Sequence, residues 1–209
     1  MGFMKAPSTD GEFKVFVKYN AKAGRWYTKD DKPEATEYEV TNMTAVFDIP
    51  NIKTGWFLFA PGVAPVKQFD PSLSEAAPKP GDGFKRGFEL DVFSDKNLGG
   101  LREFASTAGA VIEAMNDLYD AYTTAPEAGQ GKLPVVKCTG VTPVTGKHGT
   151  NYRPVLEIAA WVDRPGELVG ANVAATPKAD PTPTPSPAPT GHVPPPAATG
   201  IGPQDGVDF

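Results

Sequence analysis

Proline sets the limit on what this chain can fold into. Of its 209 residues, 23 are proline. From about Ala171 to Gly202 the composition narrows to Pro, Thr, Ala and Gly, centred on the alternating run Pro181-Thr-Pro-Thr-Pro-Ser-Pro-Ala-Pro189. Each proline fixes φ and removes a backbone donor, so this stretch favours extended, polyproline-like conformations and supports no packed core. The expectation is a folded body over 1–168 and a disordered tail over 169–209. The tail ends in Gln204-Asp-Gly-Val-Asp-Phe209. Asp205, Asp208 and Phe209 thus put two carboxylates and one aromatic ring at the end of a tether, an arrangement suited to capture by a partner.

A body of this length can bury a single core without staples, and its patterning is that of strands. Glu12–Tyr19 alternates aromatic and β-branched residues with lysine, Asn20-Ala-Lys-Ala-Gly24 reads as a turn, and Arg25–Thr28 returns. A polar, acidic connection follows over Asp30–Glu39. The next strand runs from about Asn42 to Ile49, with Met43, Ala45, Phe47 and Ile49 on one face. Thr54–Ala60 is strongly β-prone, and 61–83 reads as loop with a short strand near Val66–Phe69. Phe84–Phe93 puts Phe88, Leu90 and Val92 on one face. Leu101, Phe104, Ala105, Ala108, Val111, Ile112, Met115, Leu118, Tyr119 and Tyr122 recur at helical spacing, which predicts an amphipathic helix over about 100–123. Leu133–Val141 and Tyr152–Val162 form a last hairpin around the basic loop Thr145–Asn151. The element order predicts a mainly β fold: an OB-fold-like five-stranded antiparallel Greek-key barrel with the helix between strands three and four. An α+β sandwich shares that order.

The formal net charge is −5, which as a sum does not suit a nucleic-acid binder. The distribution matters more. Lys14, Lys18, Lys22, Arg25, Lys29 and Lys32 crowd into one stretch, opposed there only by Asp30 and Asp31. The single cysteine, Cys138, allows no internal disulfide and suits a reducing compartment. The first residues carry no signal-peptide pattern, and no run approaches the roughly 18–20 apolar residues that span a bilayer. A soluble, cytoplasmic protein is expected.

Nothing in the sequence assembles a catalytic constellation. The histidines are His148 and His192, the latter in the tail, so no Cys/His zinc set can form. Pro80-Gly-Asp-Gly-Phe84 lacks the Lys-Ser/Thr of a phosphate loop and reads as a turn. Cys138, within a predicted strand, reads as a structural thiol. The expectation is no enzyme, no cofactor and no metal.

A binding surface is easier to assemble. Lys14, Lys18, Lys22, Arg25, Trp26, Tyr27 and Lys29 interleave basic side chains with aromatic rings; Lys53, Trp56, Phe57 and Phe59 repeat the pattern more weakly; Lys147, Tyr152 and Arg153 lie at the last hairpin's loop. Single-stranded nucleic acid needs this mixture, since bases stack on aromatic faces for about 1–3 kcal/mol each while Lys and Arg follow the phosphates. In an OB-fold the loops between strands one and two and between strands four and five flank the groove. Any half-buried sheet also alternates in this way, so about half of these aromatics must face the core. Lys22, Arg25, Lys29 and Lys147 sit at turns, exposed whichever face is buried.

The combination of an OB-like body, a Pro/Gly-rich tail and the acidic tip Asp205-Gly-Val-Asp208-Phe209 resembles the single-stranded DNA-binding proteins of bacteria and bacteriophages. The resemblance implies a protein that coats and protects single strands in replication, recombination and repair. It also implies that the tip recruits a polymerase, helicase, primase or recombinase, and that the protein can be a homodimer. The tip is more sparsely acidic than that group's. A phage structural or virion accessory protein with a β-rich domain is the alternative; a carbohydrate-binding domain fits less well, lacking a signal peptide and disulfides.

Overall fold

The computed structural model describes residues 15–30, 32, 35–59, 65–147 and 149–169. Lys14, His148 and the tail beyond Val169, including the tip Asp205, Asp208 and Phe209, lie outside the described residues. Ten strands form one sheet: β1 Phe16–Asn20, β2 Arg25–Thr28, β3 Tyr38–Val40, β4 Thr44–Phe47, β5 Lys53–Leu58, β6 Val66–Phe69, β7 Lys85–Ser94, β8 Gly100–Ser106, β9 Leu133–Gly146 and β10 Gly149–Val162. The hydrogen-bonded order is β10-β9-β4-β7-β8-β1-β2-β3, with β5 and β6 added beside the first half of β7. The sheet curls into a half-barrel. Its pairings are antiparallel except that of β1 with β8, Phe16 beside Glu103 and Val17 beside Phe104.

Two expectations are corrected. The first is the simple five-stranded antiparallel set: the sheet has ten strands and mixed orientation. The second is the start of the helix. Residues 100–106 form β8, paired along its length with β7 from Ser94–Gly100 to Phe88–Ser106. The long helix, α2, is Gly109–Thr124; α1 (Asp95–Leu98) and α3 (Pro126–Gly129) are single turns. Two features override the helical spacing at Leu101. Ser94 caps α1 through Asn97 N–H, and Gly99 and Gly100 take φ of 70° and 117°, turning the chain back onto β7. The inward residues of β8 include Arg102, 3% exposed, beside Phe104. A charged side chain on the core face hides the period-2 alternation that marks a strand.

The remaining faces follow the pattern. Met43, Ala45, Phe47 and Ile49 are buried together, as are Phe88, Leu90 and Val92. Phe104 is the hub of the interior: its ring lies 5.0 Å from Trp26, 5.2 Å from Phe88 and 6.1 Å from Phe47, joining four strands. On α2, Val111, Ala114, Met115, Leu118 and Tyr122 recur on one face and are buried. Burying each large apolar side chain contributes about 1.5–3 kcal/mol.

Two buried carboxylates fasten the periphery. Asp48, 1% exposed, receives both guanidinium nitrogens of Arg164 at 2.7 and 2.8 Å, tying the segment after β10 to the end of β4. The Asp70 side chain receives the fork of Arg86 at 2.7 and 2.6 Å, Thr54 Oγ1–H at 2.5 Å and Ala77 N–H at 2.8 Å. These donors pin the loop that follows β6.

Candidate nucleic-acid interface

The pleat sorts the sequence candidates between two faces. Directly paired residues point to the same side, so the register Lys53–Glu89, Asp91–Glu103, Glu103–Phe16, Lys18–Tyr27 and Tyr27–Glu39 marks one continuous outer face. Lys18, Arg25, Tyr27, Lys29 and Lys53 belong to it. Trp26 does not: it is 4% exposed and packs between Tyr19 and Phe104, so its ring is no surface for stacking. Trp56, on the side opposite Lys53, donates Nε1–H to Ala77 O at 2.7 Å and is flanked by Arg86 and Lys79. It is part of the lock around Asp70.

The outer face is not uniformly basic. Lys18 pairs with Glu37 at 2.6 Å and Arg25 with Glu39 at 2.7 Å. Lys67 sits 2.5 Å from both Glu89 and Glu103. Burial alone would depress the Lys67 ammonium, but its hydrogen bonds to Glu103 and Glu89 outweigh this and raise its pKa. Burial raises the Glu89 carboxyl against the pull of Lys67. The exposed pairs are weak, about 0–1 kcal/mol each, so a phosphate can compete for Lys18 or Arg25. The pairs made by Lys67 are largely buried and closed to such exchange.

Two turns come together at one end of the sheet. The β1–β2 turn and the β9–β10 turn are far apart in sequence and meet in space. Tyr152 N–H donates to Ala21 O at 2.7 Å. Gly24, at φ 66°, lies against the Tyr152 ring, where a Cβ would come within 3.1 Å of its side chain. Lys22 Nζ lies 3.9 Å from where a Cβ on Gly149 would stand. Lys22, Lys147 and Tyr152 are thereby gathered at one end of the sheet, with Lys22 and Lys147 exposed. Arg153, one residue on, points the other way: its guanidinium pairs with Asp117 of α2 and reaches Glu113 O at 3.4 Å. It anchors the helix to β10.

Of the aromatic patch at β5 and β6, sequence reasoning named Phe57 and Phe59 beside Lys53 and missed Phe69. Phe59 is 48% and Phe69 36% exposed. Phe59 stacks on buried Phe57 with centroids 6.0 Å apart, Phe69 meets Phe57 edge-on at 5.9 Å, and Lys53 Nζ lies 5.3 Å above Phe69. The signal was the pair of facing glycines, Gly55 and Gly87. A Cβ on Gly87 would stand 2.9 Å from the Phe57 ring, and one on Gly55 would run into the backbone of β6 at 2.3 Å. Bare backbone there lets the rings lie flat on the sheet.

A cleft opens where the curled sheet is unzipped. β9 follows β4 up to the bond from Cys138 N–H to Met43 O at 2.9 Å and then diverges. Gly24, Arg25, Trp26, Glu39, Val40, Thr41, Met43 and residues 138–141 line a cavity of about 220 Å³. Beside it Tyr19 OH and Trp26 Nε1 are buried without a hydrogen-bond partner. Burial, with a smaller effect from Cys138, pushes the Tyr19 phenol up to about 12, so it keeps its proton. Cys138 Sγ–H donates to Gly140 O at 3.4 Å.

Among the described residues no group of three or more His, Cys, Asp or Glu could hold a metal ion. Among them no helix is long and apolar enough to cross a membrane. The chain matches no protein-family model, no curated protein and no solved structure.

Proposed function

We propose that this chain binds single-stranded nucleic acid without sequence preference, holding phosphates at the joined turns and stacking bases on exposed rings. The observation that carries the proposal is the meeting of the β1–β2 and β9–β10 turns through Tyr152 and Ala21, which puts Lys22, Lys147 and Tyr152 on one surface. Neither turn makes an electrostatic site by itself; together they supply separated cations around an aromatic ring, as a flexible polyanion requires. Phe59 and Phe69 with Lys53 supply a second stacking platform.

The strand order supports an OB-like reading, with a different assignment of strands. β4 continues through the 3-10 turn Ile49–Asn51 into β5, and both pair with β7. Taken as one bent strand, β4/β5 is strand one, β7 two, β8 three, β9 four and β10 five, with α2 between three and four. The order β10-β9-β4-β7-β8 is then five-four-one-two-three, an OB barrel opened between strands three and five. The β1–β2–β3 meander attaches at that opening. The loops flanking the groove become the β5–β7 connection, which carries the aromatic patch, and the β9–β10 turn.

In this reading the tail recruits replication or recombination enzymes through Asp205, Asp208 and Phe209. The protein acts in DNA replication, recombination and repair, in the cytoplasm of a bacterium or of a phage-infected host. Fluorescence titration of the full chain with oligo-dT across salt concentrations tests it. Binding that weakens linearly in log–log with salt is expected; no binding at low salt refutes it. Deletion of 205–209 is expected to leave oligo-dT affinity intact or raised while abolishing capture of the partner enzyme.

A further inference from the structure

We infer that Glu37 and Glu39 set the affinity for a bound strand: they hold Lys18 and Arg25 in ion pairs, and a phosphate backbone gains those two cations only by displacing the carboxylates; this rests on the nucleic-acid reading above. Lys18 lies on β1, Arg25 on β2, Glu39 on β3 and Glu37 just before it. The register sets Lys18 opposite Tyr27 and Tyr27 opposite Glu39, a row that crosses three strands on the outer face. Outward residues on a strand are two apart, so Arg25 neighbours Tyr27 and Glu37 neighbours Glu39. Both ion pairs therefore run diagonally, one on each side of Tyr27. Glu37 receives Lys18 Nζ on both oxygens, at 2.6 and 2.5 Å, and Glu39 receives Arg25 at 2.7 Å.

These pairs are built to exchange. The side chains of Lys18 and Arg25 are 46% and 58% exposed, and those of Glu37 and Glu39 are 39% and 36% exposed, so a phosphate reaches them without unpacking the fold. β3 ends the strand order and pairs with β2 only, which leaves the carboxylates an open side to turn toward while the backbone ladder stays closed. A carboxylate and a phosphate offer a guanidinium or an ammonium the same kind of charged oxygen acceptor. The two glutamates thus act as tethered competitors, present at a high effective concentration before any strand arrives. Lys22 lies between Lys18 and Arg25 in the chain, at the turn that meets Tyr152, so a strand held at the joined turns is already beside both pairs. Displacing the glutamates leaves Lys18, Tyr27 and Arg25 as a cation–ring–cation track, the mixture a flexible polyanion with stacking bases takes. The Lys18 ammonium also stands 5.8 Å over the Phe16 ring, which adds a second ring to that track.

The test is titration of labelled oligo-dT with the full chain across salt concentrations, comparing the native protein with Glu37→Gln/Glu39→Gln. The double variant is expected to bind about three- to tenfold more tightly. Its salt slope is expected to steepen by roughly 1 to 1.5, since two cations then meet phosphates without first releasing a carboxylate. Glu39→Gln alone is expected to give about two- to threefold, and thermal unfolding of each variant is followed alongside. Adding Lys18→Ala and Arg25→Ala to the double variant is expected to remove the gain. Asp163→Asn/Glu167→Gln changes net charge equally at exposed positions past the far end of β10, and is expected to move affinity by less than about twofold. An unchanged affinity in Glu37→Gln/Glu39→Gln overturns the inference and leaves the nucleic-acid reading standing. A gain that survives loss of Lys18 and Arg25, or that Asp163→Asn/Glu167→Gln reproduces, also overturns it, since net charge alone then accounts for the effect. Absence of oligo-dT binding at low salt by every form overturns that reading and the inference with it.

Discussion

Leu133–Cys138 and Thr139–Gly146 are halves of one strand, β9, under opposite conditions. The first half lies between β4 and β10, with Leu133 and Val136 fully buried. The second half keeps β10 on one side, has no strand on the other, and every residue from 139 to 146 is exposed. Both halves are strand paired with β10, with an irregularity in the ladder at Thr139 between them; the surroundings differ. Regular β structure is therefore no guide to which part of a strand stabilises the fold. The first half is held by burial, and the second is a two-stranded ribbon held by its ladder to β10 and by the Tyr152–Ala21 contact.

The contrast can be broken most forcefully at its buried end. Leu133→Ala is expected to cost about 2–5 kcal/mol, read from the midpoint of chemical denaturation. A loss under about 1 kcal/mol would mean that the first half of β9 is not core. Asp70 sharpens the comparison at a second anchored site. The fork of Arg86 and the donors Thr54 and Ala77 hold its carboxyl well below the ordinary 3.8, overcoming its desolvation. A depressed carboxylate stabilises the fold fully above its unfolded value and progressively less below it, so stability should fall as pH drops below about 4. Asp70→Asn should cost about 1–3 kcal/mol at neutral pH, discounted because Arg86 is partly exposed, and should flatten that acid limb. Glu89 acts with the opposite sign: burial raises its pKa, so its protonation on acidification favours the fold. Lys147→Ala moves to the ribbon. There the expected effect is on binding: the salt slope for oligo-dT falls by about 1 while stability changes by less than about 0.5 kcal/mol. The smallest effect belongs to Val144→Ala, at 41% exposure. It should be silent in denaturation, within about 0.5 kcal/mol; a larger loss would show that the ribbon is packed against something in solution.

What the sequence made legible was local. Alternation located β4, β7 and the last hairpin, and the turn residues around Asn20–Gly24 located the first. The start of α2 was misread because Leu101 and Phe104 fit helical spacing while buried Arg102 broke the strand pattern. Lys22 and Lys147 were correctly read as exposed, since a turn is solvated whichever face of the hairpin is buried. That the two turns touch is a fact of topology, carried by a pairing of β1 with β8 that no local pattern encodes. Trp26 and Tyr27 are neighbours in sequence with opposite fates, and only the register decides which one faces the core. The cleft was invisible for a related reason: it is made by a strand that stops pairing.

The parallel contact of β1 with β8 also orders events in time. The β1–β2–β3 meander leaves the ribosome before β8, with Val17, Tyr19 and Trp26 forming its apolar face. Its docking partners, Glu103 and Phe104, emerge only after β7 and the Gly99-Gly100 reversal have been made. At about 5–20 residues per second, that face waits several seconds for its cover. During synthesis the β1–β2 hairpin is thus a segment whose apolar face, Val17, Tyr19 and Trp26, stays open until β8 has been made.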